Sequence, residues 1–434
     1  MFNNLRGFKP ADCSTSFFTK LNSLAIKCSL IVHRSRKFSA EGFLLTLFKA
    51  ILTGKASFNE MADRIGGFEP LKMSKQAFWK RVNPEAIAFL LDALGTSLKL
   101  KTLNASKISN SLCERFERIL VEDSTTHRLH HSNSDHSPGH GNGRSKTSLL
   151  KVDVTLDLIS GSCVQNALHS GTQQDKEIGK DLVDLVRKGD LVLRDMGYFV
   201  IAEFALIARL LASWLSRVPV SVIIKDLSGS KIEETLRACK SDRWDGEVLL
   251  GEKERHRCRL IAVRASPEVV RRNLKEASER AASRGKTLSK AQRERCHWHL
   301  LVTNLSASQL SVREASELYR CRWKIEILFR AWKQGMNMKP ALNRRSNALH
   351  HQALILAAMI YQVLVVMVMI LWKPLMRKRE EVSVEKVFSV MSNHVLELKD
   401  LNEFFTHSSD RRHIRMDPHN NRESLADLWL QLKS

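Results

Sequence analysis

Nowhere in the chain do two cysteines form a Cys-x-x-Cys pair. The eight that exist, Cys13, Cys28, Cys113, Cys163, Cys239, Cys258, Cys296 and Cys321, are scattered singly. Their spacing fits neither a zinc site nor a disulfide framework and reads as reduced thiols of a cytosolic chain. The first residues, MFNNLRGFKPADCSTSFF, lack the continuous apolar core of a secretory signal. No internal repeat and no low-complexity tract is present. Acid is scarce: 46 Asp and Glu stand against 69 Lys and Arg, a formal net charge of +23. A surface that basic repels itself, and a polyanion is its natural partner because each cation set against a phosphate releases a condensed counterion. Charge alone still allows a generically basic soluble protein or an anionic-membrane binder.

What is present suits a globular protein of two or three structural units: 434 residues, 43% of them apolar. One stretch raises the question of a membrane. Ala353 to Trp372 runs without a charge, Gln362 being its one strong polar break, and twenty such residues can span a bilayer. A fully buried helix is the competing reading, favoured because the segment is single and both flanks look soluble. Residues 38–110 read as helices. Within them Phe58–Ile65, a break at Gly66–Gly67, and Ser74–Val82 resemble a helix-turn-helix whose second helix offers Lys75, Lys80 and Arg81 to phosphates. An ordinary helical hairpin fits the same pattern.

The period then changes. Arg118–Ser124 reads as a buried strand, followed by a His-, Ser- and Gly-rich stretch from Thr125 to Arg144. Ser148–Ile159 and Cys163–His169 read as a hairpin turning at Ser160–Gly161. Asp175–Arg187 reads as a helix, Leu191–Arg194 as a second buried strand, and Ala202–Arg217 as an amphipathic helix. Pro219–Thr303 looks mixed and mostly β, with a charged helix around Glu268–Arg284. Ser311–Gln334 is a long helix opened by a capping box, Ser311 with Glu314, and stopped by Gly335.

Two of these strands share one order of residue types. Ile119-Leu120-Val121-Glu122-Asp123 and Leu191-Val192-Leu193-Arg194-Asp195 each give three apolar residues, a charge, then Asp. Three apolar residues in a row suit a strand buried on both faces, and groups just past such strands line the crevice of an α/β sheet. If the strands are neighbours, the two carboxylates converge. They then need a cation between them or a shared proton, and Mg2+ takes ligands of this kind. Capping of a turn is the alternative for either Asp. On the long helix, Tyr319, Arg322, Glu326 and Lys333 fall on one face at 100° per residue. Leu318, Ile325, Leu328, Phe329 and Trp332 fall on the adjacent one. A solvated charged face is the ordinary meaning of such a stripe.

The run Tyr-x2-Arg-x3-Glu-x6-Lys, YRCRWKIEILFRAWK from Tyr319 to Lys333, resembles the signature of insertion-sequence transposases of family four. EDST at Glu122–Thr125, LRDMGYF at Leu193–Phe199 and HWHLLVTNL at His297–Leu305 look like that family's other landmarks, in order. The resemblance spans about residues 40–372. It implies an α/β fold with a ribonuclease H-like catalytic core interrupted by a β-rich insertion. A helical N-terminal DNA-binding region would cover 1–115, the core 116–218 and 307–373, the insertion 219–306, and a helical tail 374–434. It implies cut-and-paste transposition of DNA at terminal inverted repeats, by a homodimer in a synaptic complex, cytoplasmic and nucleoid-associated in a bacterium, with no membrane. Asp123, Asp195 and Glu326 would hold two Mg2+ ions, Mn2+ substituting, which clamp the attacking and leaving oxygens of an in-line transfer. Tyr319, Arg322 and Lys333 would contact phosphates. Trp298 would stack on a base swung out of the duplex, a core aromatic of the β region being its other reading. Trp323 is a lesser DNA contact. His127, His130, His131, His136 and His140 lack ligand spacing for zinc and read as a flexible loop. Asp123 fits the motif better than Glu122. A nuclease of the same fold without strand transfer, and a silent DNA-binding regulator, remain alternatives.

Overall fold

The computed structural model describes residues 11–32, 38–65, 73–99, 113–141, 146–160, 162–320, 322, 339–372, 380–382 and 414–416. It resolves two compact units, each built from separate stretches: 1–108, 124–173 and 324–434 in the first, and 109–123 with 174–323 in the second. Helices α1 (Ala11–Lys27), α2 (Ala40–Thr53), α3 (Phe58–Ile65), α4 (Lys75–Arg81) and α5 (Pro84–Lys99) come first. The strands are β1 (Ile119–Leu129), β2 (Ser148–Asp157), β3 (Ser162–Ser170), β4 (Leu191–Arg194), β5 (Ser213–Arg217), β6 (Ile224–Asp226), β7 (Arg243–Leu250), β8 (His256–Arg264), β9 (Trp298–Thr303), β10 (Glu380–Val382) and β11 (Ile414–Met416).

In the first unit α2 is apolar almost all round and buried almost throughout, which is what a central helix of a core requires. Ser39 caps it by accepting from the Gly42 N–H, and Gly54, at φ +67°, ends it in the left-handed conformation. Phe43 gathers Phe38, Phe78 and Phe89 around it at ring-centroid distances of 5.6, 5.9 and 6.5 Å. The long apolar segment lies within helix Ala348–Trp372. It packs against α2 and α5, with Tyr361 edge-on to Phe48 at 5.4 Å. Residues 353–364 are buried there, Gln362 included. Among the described residues no helix is long and apolar enough to cross a membrane. β2 and β3 form the expected antiparallel hairpin.

Part of the His-rich stretch is more ordered than a flexible loop. Thr125–Leu129 continue β1, and His130 donates its N–H to the Leu342 carbonyl at 2.9 Å. Asn133 Nδ2 lies 2.9 Å from Nδ1 of the buried His351. In the tail, β10 pairs antiparallel with β11, where helix is expected from the sequence.

The second unit is a mixed sheet in the order β1-β4-β5-β9-β8-β7-β6. β1, β4 and β5 run parallel, and β9, β8, β7 and β6 continue antiparallel from β5. At the start of the parallel strands Arg118 grips the fully buried Asp190 at two points, 3.0 and 2.6 Å. The expected helix Ala202–Arg217 is corrected: the helix is Ile201–Arg209, Leu211 turns the chain at φ +59°, and Ser213–Arg217 is β5. Trp214 and Leu215 are both fully buried, so the segment satisfies a two-sided strand better than a one-sided helix. The expected helix Asp175–Arg187 is two short turns, Asp175–Ile178 and Lys180–Val183. The helix over 267–282 buries none of its residues. Residues 312–320 are helical. Both halves of the Ser311–Glu314 capping box form, at 2.8 and 3.3 Å.

Candidate active site

The register of β1 on β4 decides what the repeated sequence pattern means. Ile119, Leu120 and Val121 lie beside Leu191, Val192 and Leu193. Carried two residues further, this register sets Asp123 level with Asp195. Parallel neighbours lie about 4.8 Å apart, and side chains at one level point to one face. The two aspartates therefore share a sheet face, Asp123 within β1 and Asp195 just past the end of β4, both half-buried. Asp195 opens the turn Met196–Tyr198, yet its side chain makes no capping bond, so the carboxylate is left for other work.

Alternation sends the preceding pair, Glu122 and Arg194, to the opposite face. There Arg194 lies 3.4 Å from Glu122 and 3.2 Å from Glu203, with side-chain exposures of 1%, 2% and 6%. Glu122 is thus a buried partner of Arg194, and Asp123 is the acid of EDST that faces the site.

The tyrosine signature arrives at the same place. Tyr319 donates its phenolic O–H to Asp195 Oδ1 at 3.3 Å, and Arg322 brings Nη2 to 3.7 Å from the same oxygen. Arg322 lies 5.5 Å from the Tyr319 ring centroid, as two residues three apart on a helix should. Burial, with a contribution from the Asp195 charge, pushes the Tyr319 phenol well above its ordinary range, against Arg322 and Arg217. It therefore stays a donor throughout the neutral range. Glu326, Lys333 and Trp323 lie outside the described residues, so the third carboxylate and the second cation of the signature are not placed.

Arg217 was not singled out in the sequence. β5 pairs Arg194 with Ser216, so the next level sets Arg217 beside Asp195. One row across three parallel strands reads Asp123, Asp195, Arg217. It is the last residue of the strand SWLSR, which the helical reading of that segment hides.

Other expected contacts fall elsewhere. Trp298 is 3% exposed. Its indole N–H donates to Glu294 at 3.2 Å, and Arg264 covers the ring at 4.4 Å. It sits as a core aromatic with no open face for a base. In the first unit Lys80 is exposed on α4, whereas Arg81 lies over the Phe38 ring at 4.7 Å and donates to the Leu30 carbonyl at 3.3 Å. Among the described residues no cluster of three or more His, Cys, Asp or Glu side chains is arranged to hold a metal ion. The two oxygen donors on one face, Asp123 and Asp195, suit a hard divalent cation, and a third ligand must come from beyond them.

Comparison with known proteins bears on the same stretch. The family model described as the transposase DDE domain matches residues 114–363, which contain every residue of the site. The transposase for insertion sequence element IS231F of Bacillus thuringiensis subsp. israelensis is 27% identical over 324 residues, 70% of this chain and 68% of that one. Its IS231B counterpart from subsp. berliner is 26% identical, over 72% and 70% of the two chains. The transposase for IS1151 of Clostridium perfringens is 24% identical, over the same shares. Among solved structures, a piggyBac transposase in a synaptic complex with hairpin DNA aligns at 11% identity, over 94% of this chain and 80% of that chain. Its TM-score, 0.38, is too low to establish a shared fold.

Proposed function

The chain belongs to the transposase DDE domain family and is a DNA transposase, and we propose that it moves an insertion sequence by cut-and-paste chemistry. The observation that carries the reading is the parallel register of β1 on β4, which sets Asp123 level with Asp195 on one sheet face, with the Tyr319 hydroxyl on Asp195. On this reading β1, β4 and β5 belong to a ribonuclease H-like core, 116–218 with 307–373, and 219–306 is its β-rich insertion. The run from Tyr319 to Lys333 is the signature of family four. Residues 1–115 bind DNA, with Lys80 among the phosphate contacts. Two copies of the chain meet across the paired terminal repeats.

Asp123, Asp195 and Glu326 would hold divalent cations, Mg2+ or Mn2+. Such ions, when bound, supply an activated water and neutralise charge on the oxygens of an in-line phosphoryl transfer. The chain's own part is orientation. Tyr319, kept protonated by burial, fixes the rotamer of Asp195 by donating to it. Arg322, held against Asp195, would meet a phosphate with its planar guanidinium, and Lys333 would add a point charge. Arg217, on the far side of Asp195 in the row, extends the positive edge of the site.

The test uses duplexes carrying the DNA that flanks the reading frame on each side, incubated with Mg2+ and with wild type, Asp195→Asn or Glu326→Ala. Cleavage by wild type alone, with binding retained in both variants, is expected. Cleavage by Asp195→Asn would remove that residue from the site. Binding without cleavage by wild type would favour a silent regulator.

A further inference from the structure

We propose that Arg194 is a positioning residue that fixes the backbone presenting Asp195 and ties it, through Glu122, to the strand presenting Asp123. The proposal rests on the reading of those two aspartates as the reactive pair. Arg194 is 1% exposed. Besides its ion pairs with Glu122 and Glu203, it donates to the Gly179 carbonyl at 2.8 Å and the Tyr198 carbonyl at 3.4 Å. Its guanidinium lies 5.9 Å from the Tyr198 ring centroid. The Tyr198 N–H in turn donates to the Asp195 carbonyl at 3.1 Å. The turn that carries Asp195 is therefore gripped from behind by the residue preceding it.

Space has been kept for this grip. A Cβ on Gly179 would lie 2.3 Å from Arg194 Nη1 and 3.0 Å from the Tyr198 ring, so any larger residue there displaces the guanidinium. A buried ion cluster is a poor way to gain stability alone, since apolar residues of similar volume commonly serve as well or better. Two carboxylates against one guanidinium make the case harder, although burial raises the Glu203 carboxyl above its ordinary range. What an apolar trio cannot do is bind two carbonyls in fixed directions, and a planar guanidinium with five N–H groups can. Glu122 and Arg194 stand at one level of β1 and β4, so the same contact holds the two Asp-bearing strands in register.

Two full-length variants test this. Arg194→Lys keeps the charge but not the fork. The triple variant Arg194→Met, Glu122→Leu, Glu203→Leu removes the cluster while filling its volume. Amide hydrogen exchange at Tyr198, urea denaturation, and kcat and KM on the flanking duplexes are measured for each. We expect denaturation of the triple variant close to wild type, exchange at Tyr198 at least tenfold faster in both, and kcat at least tenfold lower with KM for DNA unchanged. If the triple variant fails to fold, Arg194→Lys decides by the same readouts. Unchanged protection of the Tyr198 amide, or unchanged kcat once protection is lost, overturns the proposal. A wild type that never cleaves counts against the transposase chemistry instead, and the exchange data still decide whether Arg194 holds the turn.

Discussion

The buried pair His350 and His351 makes the first unit sensitive to acid. His350 is 2% exposed and His351 fully buried. Burial lowers the first to about 3 and the second to about 4. The geometry agrees: His351 Nε2 donates to the Arg344 carbonyl at 3.0 Å, and its Nδ1 faces Asn133 Nδ2 at 2.9 Å. The ring is thus held as the neutral Nε2–H tautomer, and a proton added at Nδ1 would oppose the Asn133 donor. His350 bonds Ser346 through Nδ1 and lies against Phe58 at 4.4 Å. In the unfolded chain both titrate near 6.5. A depressed folded value means that the unfolded state binds the extra protons, so the stability held above pH 6.5 is lost as pH falls from there toward 4 and 3. At pH 5 the gap is about 1.5 units, or about 2 kcal/mol for one histidine and at most about 4 kcal/mol for the pair. Urea denaturation at pH 7.5 and 5.0, followed by exchange of the 348–364 amides, measures it. A double variant His350→Phe, His351→Gln should show a smaller drop between the two pH values than wild type. Equal drops would refute the assignment, as would no drop in wild type.

Tyr319→Phe should lower kcat for cleavage about tenfold, the worth of about one hydrogen bond made to a charged group, with thermal denaturation unchanged; an unaltered kcat would make the Tyr319 contact incidental. Asp190→Ala removes the buried carboxylate that Arg118 grips and should cost about 3 kcal/mol in urea denaturation. Arg217→Gln should reduce the slope of log binding constant against log salt by about 1, uniformly across DNA sequences; an identical slope would place Arg217 off the DNA. Trp298→Ala should cost about 3 kcal/mol or more in stability, whereas a variant as stable as wild type but impaired only in processing DNA ends would return Trp298 to a base-stacking role.

The two aspartates can be picked from the sequence as candidates because a strand stretch buried on both faces leaves little choice of residue. Three apolar positions mark it, and in both strands an Asp stands two residues beyond them. What the pattern could not say was which of two adjacent charges faces the site. Glu122 and Asp123 are both acids, and only the register against β4 separates them by parity. Arg217 was lost for a related reason. The stretch from Ala202 to Arg217 carries apolar residues at helical spacing, but Trp214, Leu215 and Ser216 are fully buried in the sheet, and tertiary context overrides local period there. The segment from Ala353 to Trp372 could be read two ways because a bilayer and a protein core are equally apolar solvents. Only the neighbours decide, here α2 and α5.

That parity carries a consequence for how the site can fail. Asp123 and Asp195 each sit one residue beyond a member of the buried ion cluster, so a one-residue slip of β1 against β4 would set Asp123 level with Arg194 or Glu122 level with Asp195. The bidentate Arg118–Asp190 pair at one end of the strands and the Arg194–Glu122 pair at the other both oppose such a slip, since neither can re-form one residue out of register. Breaking both pairs, in Asp190→Ala combined with Arg194→Met, should therefore damage cleavage by more than the product of the two single effects, because each pair alone still sets the register. Strictly multiplicative losses in kcat would mean that the two ends act independently and that register is set elsewhere.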